Sequence, residues 1–599
     1  MLFSRLAHYF DLIEHEPSRL GMTRHLSELF KELSTDNEEF CKTMYLLQGR
    51  VAPQYVALEF GMATKLVARA AASSMNMDLR DFQHELDTRG DIGKTVEHFK
   101  SQFVSFEQED LEVVAVFDRL HRLATESGDG SVERKASLLS HLISQLDSLS
   151  CRYLVRIPAG QMRLGFSDMT VLDAFSWFLG GDKIHRAAIE AAYHVRPDLG
   201  YIGQVIKEKG VKGMEAVHPV VGTPILMMRA ERLSSGVEII DKIGTCSVEP
   251  KYDGFRVQVH VKKAAEKGAD CTVQLFSRNL EDMTPMYPDI VEGVRDQITA
   301  HEAIFEGEAI GYDPKTNVLL PFQETVQRKR KYDIEEKAAA IPLRLFVFDA
   351  LYVDGKSYIN EPFTTRRAAV NTLFKGTSDK TIQVAKDETT SDPARVEEIF
   401  DRALADGLEG ILVKKLDGIY QAGARGWNWI KLKRSYSSKV DDTIDCVVMG
   451  YDYGQGKRTG FGIGAFLAGV YDDAQDQFVT VSKIGTGLTD DEWRELKERC
   501  DKLVSDQKPA LYDVDSQMEC PVWVNPGIVV EIKADEITRS TMHTAGRTLK
   551  ASKSGNSSNV DESGYALRFP RLVRFRDDRK ATDATSLNEV IALYTAQKT

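Results

Sequence analysis

A lysine at the end of an apolar run, followed at once by turn-forming residues, is the first place in this sequence where covalent chemistry could begin. Lys251 stands in Lys251-Tyr252-Asp253-Gly254-Phe255-Arg256, between the strand-like runs Cys246-Ser247-Val248 and Val257-Gln258-Val259. The Asp-Gly pair supplies turn chemistry that would hold one lysine at a sheet edge, facing a pocket. An amine with a pKa of ~10.4 is a poor nucleophile, so an attacking lysine must be desolvated or placed beside other cations. Lys431 and Lys433 are the candidates for that neighbouring charge. Alone, a Lys-x-Asp-Gly is more often a plain β-turn.

Such a site needs elements to carry it. Up to about Gly213 apolar residues recur at spacings of three and four, as in Leu26, Leu29, Phe30, Leu33 and in Leu138, Leu139, Leu142, Leu146, which predicts helices. From about Glu215 short β-rich runs such as Val257 to Val261 and Leu343 to Phe348 alternate with helical stretches such as Arg395 to Leu404. After about Tyr436 strand-like runs separated by Gly-rich turns, among them Phe478 to Ile484 and Ile528 to Lys533, predict a small β-barrel. The polar stretch Lys550 to Ser563 reads as a loop. The division expected is 1–214 helical, 215–437 mixed α/β and 438–599 β-barrel, within the range of about three to five domains that 599 residues allow.

Composition bounds the function. Apolar residues at 42% and charged residues at 28% are ordinary for globular chains. The net charge of −13 weighs against nucleic acid, but the cations cluster: Arg328-Lys329-Arg330-Lys331, Lys431-Leu432-Lys433-Arg434, and Arg568 to Lys580 with Arg571, Arg574, Arg576 and Arg579. The 7 cysteines include no Cys-x-x-Cys pair, so neither a disulfide framework nor a zinc site is indicated. Met1 to Glu16 lacks the pattern of a signal peptide, and no stretch approaches the ~20 apolar residues of a membrane span. The expectation is a cytoplasmic protein, nuclear if the cell has a nucleus.

The lysine gains its meaning from the segments in order around and after it: Glu249 to Arg256, Phe276-Ser277-Arg278-Asn279, Phe305-Glu306-Gly307-Glu308, Leu345 to Asp349, Glu409 to Lys414, Trp429 to Lys433, and Leu567-Arg568-Phe569-Pro570-Arg571. This set resembles the covalent nucleotidyltransferases, and within them the ATP-dependent DNA ligases of the archaeal and eukaryotic replicative type. The resemblance implies an all-α DNA-binding domain, an α/β nucleotidyltransferase (adenylation) domain and an OB-fold barrel. It also implies a reaction in three steps. Lysine attacks the α-phosphorus of ATP to give lysyl-AMP, the AMP passes to the 5′-phosphate at a nick in duplex DNA, and the 3′-hydroxyl displaces AMP. Phosphoryl transfer of this kind is mostly positioning and cationic stabilisation.

By that resemblance Lys251 is the nucleophile, Lys431 and Lys433 contact the α-phosphate, and Glu308 and Glu409 hold Mg²⁺, which favours oxygen ligands. Phe348 stacks on adenine, Glu249 contacts the base, Arg256 lies by the ribose, and Arg278 and Arg425 lie near the nucleotide. Arg568 and Arg571 orient pyrophosphate from the barrel, with Arg579 standing where the family more often has Lys. The segments Arg152-Tyr153-Leu154-Val155-Arg156 and Gly160 to Gly165 resemble parts of the DNA-binding domain, where they would grip duplex without reading sequence. The chain is expected to act as a monomer. The stretch Gln102 to Phe106 lies near where archaeal relatives carry a sliding-clamp peptide but lacks the adjacent aromatic pair, and reads better as a packing loop. The rival readings are a capping-type guanylyltransferase, an RNA ligase, an NAD⁺-dependent ligase, which the missing zinc cysteines disfavour, and a silent nick-binding protein.

Overall fold

The computed structural model describes residues 1–33, 36–102, 109–263, 271–330, 333–374, 380–433, 443–454, 456–549 and 560–597. The clamp-like positions 103–106, Lys331, Arg434 and 550–559 of the expected loop lie outside the described residues. The chain divides into two compact units, Met1–Lys433 and Arg434–Thr599.

The first unit opens with helices running from Phe3–His15 to Leu199–Lys209. The expected apolar stripes face inward: Leu26, Leu29, Phe30, Leu139, Leu142 and Leu146 all enter one core that ends at Met214. Asp36, Asp78, Asp147 and Asp198 cap helix starts by accepting backbone N–H groups that have no partner within the helix. The structure corrects the reading of Arg152 and Arg156 as groups that grip DNA. Both are buried, and Arg156 donates to Glu14 Oε2 at 2.7 Å and Asp91 Oδ2 at 2.7 Å, while Arg152 pairs with Glu14 at 2.8 Å and Asp11 at 3.1 Å. A guanidinium is tolerated inside a protein only when paired, so these arginines hold helices together. The neighbouring 160–165 segment is different. Gly160, Arg163 and Gly165 all take positive φ, and Arg163 remains 45% exposed beside Asp91.

Two sheets follow. Sheet A, in the order β1-β11-β10-β2-β9, contains β1 Arg229–Arg232, β2 Cys246–Lys251, β9 Glu388–Thr390, β10 Gly410–Lys415 and β11 Arg425–Lys433. Sheet B, in the order β4-β3-β5-β6-β7 with β8 on β6, contains β3 Phe255–Lys262, β4 Thr272–Phe276, β5 Glu302–Gly311, β6 Leu343–Val353, β7 Lys356–Ser357 and β8 Ile382–Val384. One face of sheet A buries Val248, Ile411, Val413, Ile430 and Leu432 against helices Gly236–Ile243 and Pro393–Ala405. Sheet B packs its own core against Pro288–Gln297 and Phe363–Thr372. A further cluster joins the two sheets: Tyr252, Ile304, Phe346, Phe348, Tyr420 and Trp429.

The second unit is sheet-rich. Ile444–Asp452 pairs with Ala465–Asp472, Val522–Val524 and Val529–Lys533, and Val529–Lys533 pairs with Arg571–Phe575. Helix Asp490–Asp501, closed at its start by a capping box from Thr489 and Glu492, buries Trp493 and Leu496 in this core.

Candidate active site

The chain crosses from sheet A to sheet B at the lysine. Strand β2 ends at Lys251, and β3 begins at Phe255, leaving Tyr252-Asp253-Gly254 as the turn. Gly254 is required there, because a Cβ would stand 2.2 Å from the Ala309 carbonyl oxygen. Tyr252 anchors the turn by stacking on Phe346 with ring centroids 4.0 Å apart and planes 11° apart. A cavity of 620 Å³ opens beside the turn, a size suited to a nucleotide. Glu249, Lys251, Arg256, Arg278, Glu308, Phe348, Arg425, Lys431 and Lys433 all line it, so nine of the expected residues converge from both sheets.

Charge is concentrated at the Lys251 end. The Glu409 carboxylate lies between the ammonium groups of Lys251 and Lys433 and contacts both. Register explains the placement: Gly410 of β10 is opposite Lys251 in β2 and Lys433 in β11. Gly410 itself is at φ +145, and a Cβ there would meet the Leu432 carbonyl oxygen at 2.2 Å. Lys251 therefore has a carboxylate as its contact in addition to the neighbouring charge of Lys431 that the sequence suggested. Cations surround Lys431. Burial, then the charges of Arg232, Lys251, Arg425 and Arg278, push its ammonium down to about 8. Across the cavity, burial pushes the Glu308 carboxyl up to about 7 against the pull of Lys251 and Arg256. Among the described residues no group of three His, Cys, Asp or Glu side chains forms a metal cage. Glu308 and Glu409 nevertheless suit a cation that keeps several waters and shares phosphate oxygens, as Mg²⁺ does.

The apolar end is built on buried ion pairs. Phe348, only 7% exposed, meets Trp429 edge-on at 5.9 Å. The next residue, Asp349, is fully buried and receives Arg366 Nε at 2.7 Å and Nη2 at 3.2 Å, which fixes the strand carrying Phe348. Glu249 pairs with Lys414 at 2.8 Å, and burial works against both charges, pushing the carboxyl up and the ammonium down. Arg256 donates to the Met228 carbonyl at 2.6 Å, to Glu306 and to the Tyr420 hydroxyl at 3.3 Å. Tyr420 in turn donates to Glu306 at 2.9 Å and accepts from the Met228 N–H at 3.0 Å.

Sequence reasoning assigned no role to Lys414, Glu306, Tyr420 or Trp429. Three of them lie inside the quoted segments, and strand alternation relates Glu306 to Glu308 and Trp429 to Lys431. Tyr420 lies between segments and gave no signal. Two of the cations expected to form a basic cluster here are engaged, since Arg328 is buried on Asp289 at 2.7 Å and Lys329 pairs with Glu281 at 3.0 Å. Arg568 and Arg571 belong to the second unit, where Arg568 stands 3.8 Å from Glu536 and Arg571 contacts Asp535.

Comparison with known proteins agrees along the chain. The family described as "ATP dependent DNA ligase domain" matches residues 227–433, "DNA ligase N terminus" residues 2–176 and "ATP dependent DNA ligase C terminal region" residues 459–579. A probable DNA ligase of Dictyoglomus thermophilum is 44% identical over 600 residues, covering 100% of this chain and 98% of that one. DNA ligase 2 of Thermofilum pendens is 39% identical, and a DNA ligase of Saccharolobus solfataricus 36%, each over 100% of this chain and 98% of the relative. The solved structure Pmar-Lig_PreS3 shares the fold, with a TM-score of 0.54 over 95% of this chain and 99% of its own at 16% identity. Motifs, fold and relatives together show that the chain belongs to the ATP-dependent DNA ligases.

Proposed function

We propose that this ligase seals nicks in duplex DNA with Lys251 as the adenylylated residue. The observation that carries the reading is the placement of Lys251 at the junction of two sheets, beside Glu409 and within a cavity also lined by Lys431, Lys433 and Glu308. The neutral Lys251 amine attacks the α-phosphorus of ATP. The N–P bond forms as the bond to pyrophosphate breaks, and the amine proton is lost. Lys431 and Lys433 hold the α-phosphate, and preorganised cations of this kind are the main means of stabilising phosphoryl transfer. Glu308 and Glu409 would hold Mg²⁺, which would supply charge neutralisation on the phosphates when bound. Phe348 receives the adenine, Glu249 contacts the base, and Arg256, Arg278 and Arg425 bind toward the sugar and the nick phosphate. Arg568 and Arg571 orient the leaving pyrophosphate. A DNA 5′-phosphate oxygen then takes the AMP and frees Lys251, and the 3′-hydroxyl displaces AMP.

The same reading proposes three working domains, 1–214, 215–437 and 438–599, in a single chain that acts as a monomer in the cytoplasm, or in the nucleus of a nucleated cell. The open 160–165 segment, with a cavity of 310 Å³ beside it lined by Arg50, Arg163 and Gly165, is its phosphate-gripping surface in the helical region. Parallel sealing assays on nicked duplex with ATP, GTP and NAD⁺ test the reading. Sealing with ATP supports it, and sealing with GTP or NAD⁺ alone contradicts it.

A further inference from the structure

Four cations that line the cavity have no carboxylate partner. Among the described residues Arg229, Arg278, Arg425 and Lys431 form no ion pair, whereas the cavity's remaining arginine, Arg256, contacts Glu306. Burial, then the charges of Arg256, Arg229 and Arg425, pull the Arg278 guanidinium below its ordinary value, and no carboxylate opposes them. Like charges gathered without a counterion repel one another, and an entering anion relieves the repulsion. Arg229 is the member that no ordered sequence segment marks, since it precedes the first of them. Its side chain is exposed, yet the residue is fixed. The backbone N–H donates to the Ala424 carbonyl at 2.9 Å and Nη2 to the Gly423 carbonyl at 2.8 Å, while Nε and Nη1 hold no bond among the described residues. The turn that carries Arg278 is fixed too, because Ser277 Oγ accepts from the N–H groups of Asn279 at 3.2 Å and Glu281 at 3.1 Å. Donors held in place in this way need little ordering when an anion arrives.

Sheet register places these charges in order from the lysine. Lys433, at the end of β11, is level with Lys251 through Gly410, whereas Arg425 begins β11 and stands opposite Arg229 on β1. Strand β1 flanks β11 on the side away from β10 and β2, so Arg229 is the member of the cluster farthest from Lys251. Lys431, Arg425 and Arg278 lie between, since the charges acting on Lys431 include those of Lys251, Arg425 and Arg278. In-line transfer puts the entering and leaving groups on opposite sides of the α-phosphorus. With Lys251 on one side, the group exchanged with it is on the other. That group is first the departing pyrophosphate and then the nick 5′-phosphate, whose oxygen forms the new O–P bond as the N–P bond breaks and the lysine nitrogen takes up a proton. We propose that Arg229 joins Arg278 and Arg425 in a phosphate subsite on that side, and that its occupant is the 5′-phosphate of the nick during AMP transfer. The assignment rests on the function proposed above, in which the pyrophosphate has its own arginines in Arg568 and Arg571. A terminal phosphate carries close to two negative charges, which suits several guanidinium forks better than a backbone diester does.

The test uses the full chain already adenylylated, so that AMP transfer is separated from lysyl-AMP formation. Titrated in chelator, the wild type should bind nicked duplex with a 5′-phosphate at least about tenfold more tightly than the same nick with a 5′-hydroxyl. Arg229→Ala should lower that ratio, and in single-turnover assays it should slow AMP transfer at least about tenfold more than it slows lysyl-AMP formation. Arg229→Gln keeps a donor for the Gly423 carbonyl and should behave as the Ala variant does. Recovery of wild-type behaviour in Arg229→Gln assigns the effect to that backbone bond and overturns the subsite. Equal affinity of the wild type for the two nicks overturns it without any variant. Slower lysyl-AMP formation with transfer spared puts pyrophosphate in the subsite and overturns the nick assignment. Absence of any lysyl-AMP from wild-type protein and ATP is a different failure, because it removes the proposed function first and this assignment with it.

Discussion

Replacing Glu308 by Gln should make the metal-free protein more stable while it stops ligation. The Glu308 carboxyl lies among pocket residues, and burial pushes its value from about 4.5 to about 7. Each tenfold change in acidity is about 1.4 kcal/mol, so the displacement corresponds to about 3 kcal/mol before solvent is considered. The side chain faces an open cavity, and screening by water reduces this to about 1 to 2 kcal/mol. The sign follows from proton binding. Between pH 4.5 and 7 the folded state holds the proton and the unfolded state has lost it, so stability falls as pH rises through this window and remains low above it. Glu308→Gln lacks the titration. Urea denaturation in the presence of a chelator should therefore show the variant more stable than wild type by about 1 to 2 kcal/mol at pH 8, with most of the difference gone at pH 5. A variant no more stable at pH 8, or one whose advantage is the same at pH 5, refutes the reasoning.

Other substitutions separate architecture from chemistry. Arg156→Ala removes the guanidinium that joins Glu14 to the buried Asp91, leaving only Arg152 on the one and the half-exposed Arg163 on the other, and should cost about 3 kcal/mol in thermal or urea unfolding, a loss larger than that of Arg163→Ala. Arg163→Ala should instead weaken binding to nicked duplex in a titration and reduce its salt dependence. Asp349→Asn breaks a fully buried pair with Arg366, so lysyl-AMP yield and stability should fall together, the latter by about 3 kcal/mol or more. Arg571→Ala should slow lysyl-AMP formation by about a hundredfold while sealing of a chemically pre-adenylated nick changes much less, measured in single-turnover assays.

Much of the fold was readable because local pattern and burial agree. The stripe from Leu26 to Leu33 and the alternation from Val257 to Val261 place their apolar residues in cores, as spacing requires. The candidate site was readable wherever its lining residues sit within short ordered segments, as Lys251, Glu308, Lys431 and Lys433 do, and these share one cavity. What escaped depends on pairing across distant segments. Nothing near Arg152 and Arg156 reveals that Glu14 and Asp91 neutralise them, since those partners lie 142 and 65 residues from Arg156. Tyr420 acts through hydroxyl contacts to Glu306, 114 residues away, and to Met228, 192 residues away. The carboxylate between Lys251 and Lys433 likewise depends on strand register, which brings β2, β10 and β11 together at Gly410.

The central claim concerns one nitrogen atom. Wild-type protein incubated with ATP labelled at the α-phosphate should become labelled, and peptide mapping should place AMP on Lys251. Lys251→Ala should take no label and seal no nick, yet still bind nicked duplex and still seal a nick supplied already adenylated. An AMP adduct of undiminished yield in Lys251→Ala, or one mapped to another residue of the wild type, would contradict the account.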